Sequence, residues 1–231
     1  MKLAQNRRHF DVIDSTNTFA LNWSDAPDGA LILADSQSAG RGRLGRDWVS
    51  PPNAGLYFSL VLRDLQPDVK ARLSLLVGLA VAEAVQNQED IAIQIKWPND
   101  ILARGHKIGG VLCEATPERV VAGVGLNLNQ SAQQLPERPI FPASSLLLLA
   151  GRNFERDTIL NAILGSLELH LSSSDWQAQR AQIESRLFGR GELVRVGGAT
   201  GLVQGIGDDG ALLVRTADEL RTVRGGEVEF F

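Results

Sequence analysis

From Pro67 to Gln88 the apolar residues Val69, Leu73, Leu76, Val77, Ala80, Val81, Ala84 and Val85 recur at spacings of three and four. That stripe commits the stretch to an amphipathic helix with one wide buried face. Pro67 and Asp68 suit its first turn, where a missing N–H costs little and a carboxylate meets the positive end of the helix dipole. Four β-prone pieces follow directly, Ile91–Trp97, Ile101–Ala103, Lys107–Ala115 and Arg119–Leu128, joined by tight turns. The pattern predicts an α+β fold in which a mixed β-sheet carries one long helix laid across it.

The flanking segments extend that sheet. His9–Ile13 reads as a short strand, and Ser15 or Thr16 caps a helical stretch through Trp23. Ala30–Ala34 is a continuous apolar run suited to a strand buried on both faces, and Gly55–Arg63 is again β-prone. Between them lies a loop rich in Gly and Arg, from Ser38 to about Asn53. Two more helices are expected over Glu155–Leu171 and Trp176–Leu187. After Gly189 the texture changes to five short β-prone segments, Glu192–Val196, Gly201–Ile206, Ala211–Val214, Leu220–Val223 and Val228–Phe231. Gly and Asp-Gly turns separate them, the spacing of a small β-barrel. The expected division is residues 1–187 for the main domain and 188–231 for the barrel.

Composition narrows the function classes. Hydrophobic residues make up 44% and charged residues 22%, ordinary for a water-soluble chain. The formal charge of −4 argues against a protein that coats nucleic acid, because phosphate binding needs a basic face. Cys113 is the only cysteine, so neither a disulfide framework nor a cysteine-rich zinc site is available, and a reducing compartment is expected. The start runs at once into Gln5, Asn6, Arg7 and Arg8, with no apolar core of a signal peptide. The run from Ser74 to Val85 is broken by Glu83 and too short to span a bilayer. A cytoplasmic protein with no membrane partner is the expectation.

Four segments carry candidate chemistry. Gly40-Arg41-Gly42-Arg43-Leu44-Gly45-Arg46-Asp47-Trp48 combines glycines, which let backbone approach a ligand, with arginine forks that pair with carboxylate and phosphate oxygens. Trp48 adds a flat face for a purine. Taken alone the segment is an anion clamp, with a solvated basic loop or an RGG-like nucleic-acid arm as the other readings. Lys96-Trp97-Pro98-Asn99-Asp100 follows an apolar strand; Pro-Asn-Asp is also good turn chemistry. Of 23 basic residues only Lys2, Lys70, Lys96 and Lys107 are lysines, so a lysine inside a motif carries extra weight. Lys107 precedes Gly109-Gly110 in a β-prone run, which marks close backbone approach or a bulge, or simply a hairpin. In Gly123-Val124-Gly125-Leu126-Asn127-Leu128-Asn129 alternate glycines imply a strand packed tightly against something, and Asn127 either reads an adenine edge or caps the strand.

Taken in order, Ser15-Thr16-Asn17, Gln37, the 40–48 loop, the 96–100 segment, Lys107–Glu114 and Gly123–Asn129 resemble the biotin protein ligases over nearly the whole chain. The resemblance implies a biotin/lipoate ligase-like catalytic domain followed by a small SH3-like barrel. It places the biotin head group on Ser15, Thr16, Asn17 and Gln37, with Tyr57 as an aromatic wall and Gly40, Gly42 and Gly109 close to the ligand. Arg41 and Arg43 would clamp carboxylate and phosphate, and Lys107 would reach the reacting carboxylate. The nucleotide would contact Arg43, Arg46, Trp48, Lys96, Asn99, Asp100 and Asn127. Leu44 stands where relatives often carry a basic residue.

The implied reaction is activation of biotin by ATP, with Mg²⁺, to biotinyl-5′-AMP and pyrophosphate. Transfer to a lysine of a carboxylase's biotin carrier domain follows, that of acetyl-CoA carboxylase being the default. No dedicated protein metal site is expected. Rival readings are a lipoate or octanoate ligase on the same fold, or a regulator that binds biotin or nucleotide without turning ATP over. Some relatives carry an N-terminal DNA-binding domain; fourteen residues precede Ser15, so no DNA binding is expected. The resemblance leaves monomer and homodimer both open.

Overall fold

The computed structural model describes residues 2–137 and 141–231. Seven strands form one sheet: β1 (Arg7–Ile13), β2 (Leu31–Gln37), β3 (Gly55–Arg63), β4 (Ile93–Lys96), β5 (Asp100–Ala103), β6 (His106–Ala115) and β7 (Arg119–Asn127). Their order is β1-β2-β3-β7-β6-β5-β4. Only β1 and β2 pair in parallel, and α1 (Thr16–Asn22) lies between them in sequence, as a parallel pair requires. The other neighbours are antiparallel.

The long helix expected from the apolar stripe is α2 (Pro67–Gln86). It packs with α4 (Arg156–Ser172) and α5 (Trp176–Ser185) on one face of the sheet. Leu56, Phe58, Leu60 and Leu62 of β3 and Val120, Ala122, Val124 and Leu126 of β7 enter that core. The opposite face is covered in part by α1, over a small second cluster that includes Ala20, Ile32, Val61 and Val121. Tyr57, Ser59, Gly123, Gly125 and Asn127 share this second face by strand alternation. The functional residues therefore stand on the side of the sheet away from α2.

One helix was not expected: α3 (Leu146–Ala150), capped by the Ser145 hydroxyl and ended by Gly151 in the left-handed conformation. β2 also runs three residues beyond Ala34, to Gln37. The five C-terminal segments all form strands: β8 (Leu193–Val196), β9 (Ala199–Ile206), β10 (Leu212–Arg215), β11 (Leu220–Val223) and β12 (Glu229–Phe230). They make an antiparallel sheet in the order β11-β10-β9-β8-β12, with β11 and β12 at its edges.

Several contacts bolt this unit to the sheet and helices before it, among them the three that follow. Leu187 bridges the edge of β4 at Ile95. The buried Trp97 Nε1 donates to the Gly210 carbonyl at 3.0 Å. Arg72 Nε on α2 donates to the Asp208 carbonyl at 2.7 Å. Among the described residues no helix is long and apolar enough to cross a membrane.

Candidate active site

A cavity of about 460 Å³ opens on the α1 face of the sheet. Ser15, Thr16, Asn17, Gln37, Arg41, Gly42, Arg43, Arg46, Trp48, Lys96, Asn99, Asp100 and Lys107 all line it. Segments from Ser15 to Phe230 thus meet at one concavity.

At one end, the start of α1 presents short polar side chains. The Thr16 backbone N–H donates to Gln37 Oε1 at 2.9 Å, and Gln37 Nε2 donates to Ser50 Oγ at 2.9 Å. Asn17 Nδ2 donates to the Leu112 carbonyl at 3.2 Å and to Glu114 Oε2 at 2.9 Å. The floor is made by strand glycines. A Cβ on Gly123 would overlap the Asn17 amide, and one on Gly125 would overlap the Trp48 indole. The alternate glycines of β7 thus seat two cavity side chains.

The other end is cationic. Lys107 Nζ lies 2.6 Å from Asp100 Oδ1 and 5.8 Å from the centre of the Trp48 ring. Arg43 Nη1 donates to Asn99 Oδ1 at 2.9 Å. Arg41 pairs with Glu114, and Arg46 pairs with Glu227 in the loop before β12. Lys96 faces the rings of Phe141 and Phe230 at 5.3 and 5.8 Å. Burial lowers the Lys96 ammonium below the usual lysine range, Asp100 opposes that shift, and the Lys107 and Arg43 cations add to it.

Local backbone explains how the loop holds its shape. Trp48 N–H donates to the Gly40 carbonyl at 2.8 Å and Gly42 N–H to the Arg46 carbonyl at 2.7 Å, closing residues 40–48 into a hairpin-like turn. Leu44 and Gly45 occupy its tip with φ of 57° and 72°. A register shift where β5 meets β6 pairs Ile101 with Gly109 and Leu102 with Lys107, leaving Ile108 as the extra residue of a bulge. The bulge brings Lys107 and Gly110 onto the cavity side and turns Gly109 away.

Four expected ligand residues stand off the cavity wall. Gly109 is buried against Gly125 and Leu126. Gly40 faces Trp48 and Ser50, where a Cβ would overlap the Trp48 carbonyl, so its place is in closing the loop. Tyr57 is wholly buried; its hydroxyl donates to the Pro51 carbonyl at 3.2 Å and accepts from Gln130 Nε2 at 3.1 Å. Burial also raises its phenol well above the usual tyrosine range. Asn127 is buried, with Nδ2 on the Ser144 carbonyl at 3.0 Å and Oδ1 accepting from Gln130 at 3.1 Å.

The profile of the biotin/lipoate A/B protein ligase family matches residues 9–131, and that of the biotin protein ligase C-terminal domain matches residues 191–230. The bifunctional ligase/repressor BirA of Bacillus subtilis is 33% identical, over 98% of this chain and 74% of that protein. The chain belongs to the biotin protein ligase family. The biotin--[acetyl-CoA-carboxylase] ligase of Mycobacterium tuberculosis is 35% identical, over 87% of this chain and 79% of that protein. A biotin protein ligase from Aquifex aeolicus, solved in complex with biotin and ATP, superposes with a TM-score of 0.86 at 30% identity. That match covers 97% of this chain and 98% of that one.

Several lining residues of this ligase went unassigned in the sequence. Gly110, Gly123 and Gly125 were visible as motif glycines, and strand parity would have separated them from Gly109 had the bulge been known. Phe141, Glu227 and Phe230 close the cavity from segments that carry no local signal of a site. Glu114, which stands behind the wall bonded to both Asn17 and Arg41, closes the Lys107–Glu114 segment but was given no role there.

Proposed function

We propose that this ligase activates biotin with ATP to biotinyl-5′-AMP, releasing pyrophosphate, and then transfers the biotinyl group to a lysine of a biotin carrier domain, with that of acetyl-CoA carboxylase as the default acceptor. The observation that carries the reading is one cavity with a neutral polar end at Ser15–Asn17 and Gln37, a cationic end at Arg43, Lys96 and Lys107, and Arg41 joined to the neutral end through the Glu114 oxygen it shares with Asn17. A ureido ring needs a few fixed donors and acceptors, and the acid and triphosphate need positive charge.

The chemistry follows from that division. The biotin carboxylate must approach the α-phosphate, anion against anion. At about 4 Å and an effective dielectric near 20, each such pair of unit charges costs roughly 4 kcal/mol. Arg41, Arg43 and Lys107, all on the cavity wall, would offset that repulsion and stabilise the charge spread over the in-line transition state. Trp48, laid against Gly125, offers its ring to the adenine and its bulk to exclude water from the adenylate. The ε-amine of the carrier lysine then attacks the acyl carbon, forming the amide as AMP leaves. No protein nucleophile is required.

Among the described residues no cluster of three or more His, Cys, Asp or Glu could hold a metal ion. The donor set fits Mg²⁺ arriving on the triphosphate: Asp47 and Asp100 line the cavity, Asp100 with one oxygen already on Lys107, and phosphate oxygens would supply the rest. Bound there, Mg²⁺ would neutralise phosphate charge. The acidic balance of the chain argues against DNA as a partner, and its single cysteine suits the reducing cytoplasm. We also place the division between catalytic and C-terminal units at residues 187 and 188, where the chain leaves the edge of β4.

The test is ATP–pyrophosphate exchange with the purified chain and biotin, lipoate or octanoate as the acid. Exchange with biotin alone is expected. Exchange driven by lipoate or octanoate would move the site to the sister ligases, and none with any acid would mark a regulator that only binds.

A further inference from the structure

Beyond the cavity wall, the polar groups form one continuous chain through a residue with no assigned role. Ser59 is completely buried in the middle of β3. Its Oγ lies 2.8 Å from Thr16 Oγ1 and 2.5 Å from Asn17 Oδ1. Counting protons settles the direction of these bonds. A hydroxyl has one proton and an amide oxygen can only accept, so Ser59 donates to Asn17, and its 2.8 Å contact with Thr16 takes the Thr16 proton in preference to the longer 3.2 Å approach of Thr16 Oγ1 to Gln37 Oε1. The Asn17 amide then donates to Glu114 Oε2 at 2.9 Å, and the Arg41 guanidinium reaches the same oxygen from the loop. Thr16 to Ser59 to Asn17 to Glu114 is a one-way relay that ends on a carboxylate, with Arg41 as its last donor.

We infer that Glu114 is a positioning residue for biotin: through this relay it ties the head-group end of the cavity to the guanidinium of Arg41, holding the rest of that fork toward the incoming carboxylate. The inference rests on the reading of the site given above. Arg41 is a long and substantially exposed side chain, so without a fixed partner it must be ordered each time the acid binds. Glu114 spends one corner of the fork and leaves the other donors free, which pre-organises the clamp. A carboxylate beside an anion-binding site is otherwise counterproductive, since it repels the substrate. Its presence at the junction of two anchored side chains is what a positioning role explains.

The opposing electrostatic effect gives the test its sign. Glu114→Gln removes the negative charge and keeps the shape. If Glu114 acted only as a nearby charge, the KM for biotin would fall. Positioning requires it to rise, about tenfold, equivalent to roughly 1.4 kcal/mol. The KM for ATP should stay within about twofold, because the relay leads to the acid's head group and not to the nucleotide.

Ser59→Ala, which breaks the relay one link earlier without touching Arg41, should raise the biotin KM in the same selective way. The double variant should lose less than the product of the two effects, because both cut one chain. Biotin-dependent ATP–pyrophosphate exchange measures all of these. A biotin KM for Glu114→Gln that is unchanged or lower, equal losses toward biotin and ATP, or multiplicative effects in the double variant would each overturn the positioning role. Absence of biotin-dependent exchange in the unsubstituted ligase would overturn the reading of the site, and the inference with it.

Discussion

The Lys107 ammonium makes one short contact, to Asp100, beside the Trp48 ring. Lys107→Arg keeps the charge but adds a planar fork that cannot occupy the same point. Formation of biotinyl-adenylate in a single turnover should slow by about a hundredfold, the scale of losing one preorganised transition-state donor. A rate equal to wild type would mean that any cation serves. The glycines of β7 act by absence. A Cβ at Gly125 would overlap the indole of Trp48, so Gly125→Ala must displace the ring or the loop behind it. We expect a loss of about 1–3 kcal/mol in urea unfolding, typical of forced overpacking, together with a higher KM for ATP. Unchanged values of both would show that Trp48 can rest elsewhere.

At the scale of elements, the 40–48 loop is held by backbone bonds across its neck and by Arg43 on Asn99. Arg43→Gly removes that side-chain anchor and adds backbone freedom. Biotinyl-adenylate should dissociate at least about tenfold faster, a loss of about 1.4 kcal/mol of retention; an unchanged residence time, measured by rapid filtration, would refute the clamp. A second device joins β1, β2 and α4: Asp35 accepts from His9 at 3.0 Å and from Arg156 at 2.7 Å. Burial raises its carboxyl, but the bonds and charges of His9 and Arg156 outweigh this, so its pKa falls below the ordinary 3.8. A depressed carboxyl stabilises the fold at pH values above its unfolded pKa, and that stability is lost as pH falls through the folded pKa. Thermal unfolding of Asp35→Asn should show a shallower decline below about pH 4 than the parent chain. Parallel declines would leave Asp35 without this role. The one helix missing from the sequence reading, α3, shows where periodicity fails: Leu146–Leu149 is apolar all round, with only Ser145 and Gly151 marking its ends.

For the whole molecule, the C-terminal sheet completes the site. Phe230 lines the cavity beside Lys96, and it packs against Phe188 with ring centres 5.0 Å apart. Gly189 makes room for that ring: its φ is 74°, and a Cβ there would overlap Phe230. Gly189→Ala therefore combines left-handed strain of about 1–2 kcal/mol with displacement of Phe230. We expect a lower Tm and a raised KM for ATP in the same variant. A drop in Tm with normal kinetics would show that the C-terminal sheet contributes only stability. The Trp97 bond to Gly210 carries the same coupling from the other side, because Trp97 lies within the 96–100 segment that also supplies Lys96, Asn99 and Asp100.

Much of this was legible in the residues themselves. The stripe of α2, the β-prone runs and the clustered glycines and arginines are local patterns, and local patterns set elements because helix and strand periodicities depend only on neighbours along the chain. The order of motifs, through the resemblance it carries, also named most of the residues that the fold brings to one cavity. Tertiary structure alone decided which side chains reach the cavity. The bulge at Ile108 separates Lys107 from Gly109, the packing of Gln130 withdraws Tyr57 and Asn127, and the meeting of β3, α1 and β6 creates the relay through Ser59 to Glu114. Those outcomes depend on register and on contacts between residues far apart in the chain, where one residue of slip reverses the face a side chain presents.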